Sequence, residues 1–477
     1  MARYITTTIP YVNADPHIGF AVEVVQSDAL ARAWRLQGGE VLFSTGTDEH
    51  GQKILEAAQK KGEEVQAYVD HYAEEVRKLG AALNLSNDLF VRTTSPEHKA
   101  AAQEMWKRCE AAGDIYKKSY TGLYCIGCEA YKTERELEDG HCVLHPSLTL
   151  ETITEENYFF RLSKYQDRLL EYLSRPGVVV PEWRREEAVS FVASGLEDFS
   201  ISREKARLSW GVPVPGDDSQ VMYVWFDALT NYISTLGWPQ DADGNFKKFW
   251  EEGKTLQTAG KDQVRFQSIM WQAMLMSSNI KATDQVFYHG FINSGGARMS
   301  KSLGNVISPY ELVAKYGTDA TRYLLLRHVH PTEDTDVTWE RLDEWYTANL
   351  VNGLGNLVAR VMKLAETNLD APITRPDASP FPGEYWGAVN TFNFNQALDL
   401  VWSRIGELDE RITREEPFKL VKTDPTAGKN LISELVLELY QIGRLLNPFM
   451  PAANELIKKT VLENKKPENL FPRLSEV

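Results

Sequence analysis

An α/β fold is what this sequence predicts: a parallel sheet wound with helices, interrupted by a small cysteine-bearing insertion and followed by an all-α bundle. Three observations carry that reading. Short β-branched runs alternate with helical periodicities over residues 1–114 and again over 223–295. The alternation breaks over 115–222, where three of the four cysteines fall. Beyond about residue 340 no strand pattern remains. Alternating strands and helices argue for a parallel sheet, whose ligands sit at the carboxyl ends of its strands.

The first element is the apolar, β-branched run Tyr4-Ile5-Thr6-Thr7-Thr8-Ile9, read as a buried strand. Asn13-Ala14-Asp15-Pro16 is turn chemistry, and Val22, Val25, Ala29 and Ala33 then recur at helical spacing until Gly38-Gly39. His17 and Gly19 stand at the mouth of that helix. Its N-terminus offers N–H groups to a phosphate, although a His before a helix also serves simply as a cap. Val41-Leu42-Phe43-Ser44 is the second strand and leads into Thr47-Asp48-Glu49-His50-Gly51. Asp48 stands at a strand end, where a carboxylate can hold an amino group or cap the next helix. Helices are expected over about 65–83 and 95–112, around a short strand at Phe90-Val91.

Cys125-x2-Cys128 and Cys142-x2-His145 form the insertion's signature over 125–145. Two knuckle turns each present two soft ligands, and the residues between them can bring all four into one tetrahedron. A closed four-ligand set with no open position predicts a structural zinc. His141 competes for the fourth place, but His145 completes the repeated spacing. Cys109 stands apart and reads as a small buried residue.

Alternation resumes at Val221-Met222-Tyr223-Val224. The following helix carries Trp225, Ala228 and Tyr232 on one face, lining either a core or a pocket. The strand Leu256-Gln257-Thr258 runs into Gly260-Lys261-Asp262, with Asp262 placed to bind ribose hydroxyls or to cap a helix. Gln263 and Gln267 follow at i, i+4 and could share one polar target. Val286-Phe287-Tyr288 gives another strand. In the last part Leu350, Leu354, Leu357, Val361 and Leu364 mark an amphipathic helix, with Asn356 and Arg360 on its flank. Further helices are expected near 385–414, 427–447 and 451–462. Phe418 could stack on a base or plug the bundle.

Gly295-Gly296 precedes Arg298-Met299-Ser300-Lys301-Ser302-Leu303-Gly304-Asn305, a basic, hydroxyl-bearing loop. With Pro16-His17-Ile18-Gly19, this pair resembles the two signature motifs of class I aminoacyl-tRNA synthetases, in their order and at their kind of separation. The rest of the chain is most similar to the methionyl-tRNA synthetase family: Thr47 to Gly51, the cysteine knuckle, Asp198 to Arg203, Tyr223 to Ala228, Gly260-Lys261-Asp262, and Asn356 to Arg360.

The resemblance implies a Rossmann-like catalytic domain in two halves, 1–114 and 223–295. It further implies a connective insertion at 115–222, the lysine loop with linking helices at 296–345, and an anticodon-binding bundle at 346–477. Ile9, Tyr11, Trp225, Ala228, Leu229 and Tyr232 would line a methionine pocket. Asp48 would hold the amino group, and Arg203 would act near the carboxylate or phosphates. His17, Gly19, Asp262 and Lys301 would bind ATP, with His17 and Lys301 the main stabilisers of the transition state. Asn356, Arg360 and Phe418 match the positions that meet the anticodon. The implied partners are ATP with Mg²⁺, methionine and tRNA(Met). Four departures from the family pattern stand out: Phe20 replaces the first motif's second His, Gln267 a His, Gln263 an aliphatic, and Phe418 a Trp. Gln263 and Gln267 are then expected to form a substitute polar wall against methionine.

Composition sets the remaining bounds. At 477 residues the chain can form roughly two to four domains. No apolar run reaches the roughly 18–20 residues of a membrane span, and Met1-Ala2-Arg3-Tyr4 does not begin a signal peptide. A cytoplasmic monomer is the expectation. The net charge of −15 argues against a generally nucleic-acid-coating surface, so a tRNA would have to be met by local basic patches.

Overall fold

The computed structural model describes residues 1–128, 130–132, 136–299, 306–374 and 380–474. The chain forms two compact units: Met1–Pro16, Gly39–Lys78 and Asn87–His289 in the first, His17–Gly38, Leu79–Ser86 and Gly290–Val477 in the second.

The first unit is built on a six-stranded sheet in the order Leu89–Arg92, Val41–Thr47, Arg3–Thr6, Lys254–Gly260, Gln285–His289, Val179–Val180. Every pairing in it is parallel. The opening strand lies inside the sheet, with Ile5 opposite both Phe43 and Leu256. Tyr4, Ile5 and Phe43 are fully buried, as strands covered on both faces require. Strand order therefore reverses direction beside Arg3–Thr6, the kind of switch point at which a doubly wound sheet opens a crevice for ligands. Beyond the ladder proper, Tyr11 bridges Asp48; Asp48 N–H donates to Pro10 at 3.0 Å and Val12 N–H to Asp48 at 3.2 Å. Those bonds carry the two strand ends forward together.

Within 115–222 a separate antiparallel sheet pairs Ile115–Cys125 with Glu151–Phe160, flanked by Ala130–Lys132 and Phe199–Ser200. Val179–Val180, from the same stretch, joins the edge of the parallel sheet instead. A three-stranded sheet of Ser202–Glu204, Asp217–Met222 and Pro213–Val214 completes the region. Trp106 anchors the core, edge-on to Tyr158 at 5.3 Å and Phe226 at 5.5 Å. Truncating such a side chain to Ala costs about 3–5 kcal/mol.

The second unit is mainly helical. A buried ion pair, Asp28 to Arg322 at 2.7 Å, ties its pieces together. Arg322 also donates to the carbonyls of Leu83, Pro448 and Phe449 at 2.8–3.1 Å. Asp28 accepts from Ser86 N–H and Oγ, both at 2.6 Å. Burial alone would raise the Asp28 carboxyl, but Arg322 and Arg32 more than offset it and hold its pKa down. Ser308 and Glu311 cap the helix Pro309–Tyr316 reciprocally, with Pro309 in its first turn.

The expected stripe at Leu350, Leu354, Leu357 and Val361 is buried, while Leu364 is half-exposed. The helix expected near 385–414 is two, Gly383–Asn390 and Phe394–Glu415. Phe392 breaks it at φ +63°, burying its ring in the bundle. Burial of an aromatic ring offsets the cost of a left-handed backbone for a non-glycine residue. Asn447, Pro448 and Phe449 then turn the chain into the helix Pro451–Glu463.

Candidate functional site

Thr47, Asp48, Glu49 and His50 follow one another at a parallel-strand end, and all four are buried. A run this polar is stable in the interior only if its groups are paired. Glu49 accepts Arg92 Nε at 2.7 Å and Nη2 at 2.9 Å, Thr47 Oγ1 at 2.6 Å, and Thr94 Oγ1. His50 Nδ1 lies 2.6 Å from Asp227 Oδ2, and His98 Nε2 lies 2.8 Å from Asp227 Oδ1. Burial would raise the Asp227 carboxyl, yet the two imidazoles outweigh it and bring its pKa to about 2. Asp227 is thus a carboxylate with an imidazole on each oxygen, and Asp48 stands between two anchored neighbours.

Asp227 belongs to the short helix Val224–Leu229, which also carries Trp225, Ala228 and Leu229. Trp225 stacks on Phe266, and Tyr232 tilts against Trp271 at 5.7 Å. Gln267, 2 % exposed, donates through Nε2 to the Tyr232 hydroxyl. Gln263 Nε2 instead reaches Asp262 Oδ2 at 3.1 Å. The two glutamines therefore take different partners, because the chain is a 3-10 turn over Lys261–Gln263 and a wide π-helix over Phe266–Met270. The amide oxygens of both are buried with no hydrogen-bond partner among the described residues. Asp262 folds back over Gly260, where a Cβ would come within 2.8 Å of its carboxylate.

Ile9 and Tyr11 are half-buried beside this strand end. Arg203 is buried, donating to Ser200 Oγ at 2.9 Å and to its neighbour's carbonyl at 2.7 Å, with the Tyr223 ring 4.6 Å away. The rings of Tyr124 and Tyr131 each lie 5.4 Å from the same guanidinium.

In the knuckle, Cys125, Cys128, Cys142 and His145 bring their ligand atoms within 4.8 Å of one another. Cys128 Sγ is 3.6 Å from Cys142 Sγ and 3.3 Å from His145 Nδ1, and Cys125 Sγ is 3.8 Å from that nitrogen. A tetrahedral zinc with Zn–S about 2.3 Å sets its ligand atoms roughly 3.5–3.8 Å apart. The donor set fits a zinc ion. Gly127 makes room for the His145 ring, since a Cβ there would sit 2.5 Å from it. His141 is exposed and outside the cluster.

In the second unit His17 caps the helix Ile18–Leu36, its Nδ1 accepting Gly19 N–H at 3.1 Å. An accepting Nδ1 puts the proton of a neutral imidazole on Nε2. A Cβ on Gly19 would lie 2.9 Å from that ring, so any larger residue there would displace the imidazole from this position. Phe20 is buried and serves the core. Lys301 lies outside the described residues, as do Ser300 and Ser302 to Asn305.

Arg360 and Phe418 line a common groove of about 670 Å³, joined there by Lys363, Lys422 and Lys466. Phe418 is 43 % exposed, so it does not plug the bundle. Arg360 is ion-paired with Asp409, and Asn356 is exposed at the start of the same helix. The three lysines, His98 and Asp227 were not among the residues singled out by sequence. Only Asp227 left a signal there, a lone carboxylate between Phe226 and Ala228.

These sites sit in a chain with extensive likenesses. The family described as tRNA synthetases class I (M) matches residues 3–146 and 134–362. The fold and that match define a class I tRNA synthetase. Methionine–tRNA ligase of Brucella suis is 40% identical over 468 residues, covering 95% of this chain and 90% of the relative. That of Thermosynechococcus vestitus is 42% identical over 475 residues, covering 95% and 88%. The structure of Mycobacterium tuberculosis methionyl-tRNA synthetase in complex with methionyl-adenylate superposes with a TM-score of 0.88 at 36% identity, over 96% of this chain and 93% of that one. The chain belongs to the methionine–tRNA ligase family.

Proposed function

We propose that this chain activates methionine with ATP and loads it onto tRNA(Met) through the residues named above. Its membership of the methionine–tRNA ligase family over nearly its whole length carries the reading. In the first step a methionine carboxylate oxygen attacks the α-phosphorus of Mg²⁺-bound ATP, and the bond to pyrophosphate breaks. In the second, the terminal adenosine hydroxyl of tRNA attacks the adenylate's carbonyl carbon and AMP leaves. Catalysis of this kind is largely positioning and stabilisation of developing charge.

Asp48 holds the amino group, and its burial supports that role, since a desolvated carboxylate binds an ammonium strongly. Ile9, Tyr11, Trp225, Ala228, Leu229 and Tyr232 enclose the thioether, which aromatic rings contact favourably by about 0.3–1.5 kcal/mol. Gln263 and Gln267 are the polar part of that wall. Arg203 serves the carboxylate side from within the insertion. His17, through its Nε2 proton, and Lys301 stabilise the phosphates; Gly19 admits the nucleotide and Asp262 binds its ribose. Cys125, Cys128, Cys142 and His145 hold a structural zinc, and Asn356, Arg360 and Phe418 meet the anticodon.

No helix among the described residues is long and apolar enough to cross a membrane. Methionine-dependent exchange of pyrophosphate into ATP tests the proposal. Exchange that requires methionine supports it; none above background, with zinc bound, would leave a tRNA-binding protein that no longer activates an amino acid.

A further inference from the structure

The network around Asp227 has no part in the two steps described, yet it joins both walls of the candidate methionine site. On one side His50, two residues beyond Asp48, places Nδ1 2.6 Å from Asp227 Oδ2. On its own helix Asp227 lies between Trp225 and Ala228, residues of the side-chain wall. The second oxygen is taken by His98 Nε2 at 2.8 Å, and His98 Nδ1 lies 2.8 Å from Ser234 Oγ. Asp227 and His98 are fully buried, at 0% and 1% exposure, so no water competes for these bonds. Glu49, between Asp48 and His50 in the chain, is itself gripped through both carboxylate oxygens by Arg92.

We propose that Asp227 is a positioning residue that sets the distance between the carboxylate binding the methionine amino group and the helix that walls its side chain. This rests on the reading of Asp48 given above. A binding group must be held within about 0.5 Å of its productive place by partners that lock its own conformation. Through His50, Asp227 supplies that lock across a sequence separation of 177 residues. Asp227 touches no reacting atom and acts through its neighbours.

The test is a set of variants of the full chain, assayed by methionine-dependent pyrophosphate exchange. Asp227→Asn turns one oxygen into a donor facing an imidazole. Its methionine KM rises about tenfold, the low end of the effect of removing groups that orient a ligand-binding side chain, while its ATP KM stays at the wild-type value. In an Asp48→Asn background, adding Asp227→Asn changes the methionine KM no further, because the group it positions is already gone. His50→Asn, whose Nδ2 can stand where Nδ1 stood, keeps a wild-type methionine KM, and His50→Phe does not. An Asp227→Asn enzyme with an unchanged methionine KM, a parallel rise in ATP KM, or effects that multiply in the double variant would overturn the proposal. If Asp227→Asn does not fold, equal behaviour of His50→Asn and His50→Phe overturns it. An Asp48→Asn enzyme with a wild-type methionine KM sinks instead the reading of Asp48 on which this one rests.

Discussion

The indole of Trp225 lies flat on the ring of Phe266, with centroids 3.7 Å apart and planes 13° from parallel. Such a pair is worth about 0.5–1.5 kcal/mol beyond the area it buries. Phe266 is not among the residues expected to touch methionine, yet it fixes the face of one that is. Phe266→Ala should free the indole and raise the methionine KM by up to about tenfold, the ratio that corresponds to about 1.4 kcal/mol. Phe266→Tyr keeps the stack and should stay near wild type. Pyrophosphate exchange at varied methionine measures both; equal KM values would remove the stack from the binding argument.

Gln267 spends its amide nitrogen on the Tyr232 hydroxyl and keeps its oxygen buried without a partner among the described residues. An acceptor left so costs about 1–3 kcal/mol, a cost that a polar contact with bound substrate would offset. Gln267→Leu should therefore raise the methionine KM while narrowing the preference for methionine over norleucine, which lacks the sulfur. A methionine KM unchanged by this substitution eliminates the polar wall.

For the knuckle, the expected outcome is a single zinc per chain by elemental analysis, lost in Cys142→Ser. Gly127→Ala gives an independent check, because its methyl group would press on the His145 ring. It should weaken zinc about 10–100-fold, as displacing the support of a metal ligand generally does, with no ligand removed. Competition against a chelator reads that change directly, and unaltered affinity would contradict the close approach of Gly127 to His145.

The parts of this fold legible in the sequence are those whose signal is local. A cysteine pair and a cysteine–histidine pair at one repeated spacing announced the knuckle, and His145 was separable from His141 on spacing alone. The parallel sheet followed from β-branched runs such as Tyr4 to Ile9, and the bundle from the stripe beginning at Leu350. Val179–Val180 was not legible, because two residues ahead of Pro181 hold no periodicity. Nor was the break at Phe392, where a tertiary contact overrides a continuous helical pattern. The His50–Asp227–His98 network spans separations of 177 and 129 residues. Only the folded sheet brings those residues together, and no window along the chain contains them.

Phe418 and Arg360 present an aromatic face and a guanidinium to a groove edged by Lys363, Lys422 and Lys466. In a chain of net charge −15 this concentration of cations is the kind of local patch that a tRNA requires. Phe418→Ala should cost about 1–3 kcal/mol of tRNA binding if a base stacks there, and Arg360→Ala should weaken discrimination among anticodons. Pyrophosphate exchange, which needs no tRNA, should be unaffected by either. Lys363→Ala and Lys422→Ala should each lower the salt dependence of tRNA binding by about one unit of slope if they meet phosphates. Variants that damage exchange as much as aminoacylation would show that the groove serves the fold alone.

The imidazole of His328 stacks on the indole of Trp345, 4.3 Å between centroids and 2° from parallel. Burial, with the charge of Arg327 added, lowers its pKa from 6.5 to about 4. In the unfolded chain the ring titrates near its ordinary value of about 6.5. Below that pH the unfolded state takes up a proton that the folded state refuses, so acid favours unfolding. The neutral ring's contribution is complete above about pH 6.5, falls as pH drops, and is exhausted once the folded ring protonates near pH 4. Its size across that window is about 3 kcal/mol at most. His328→Phe, which can keep the stack without a titrating nitrogen, should flatten the loss of stability between these two pH values. Urea unfolding of both proteins at pH 7 and pH 4.5 measures it, and parallel losses in the two would exclude His328 as the source.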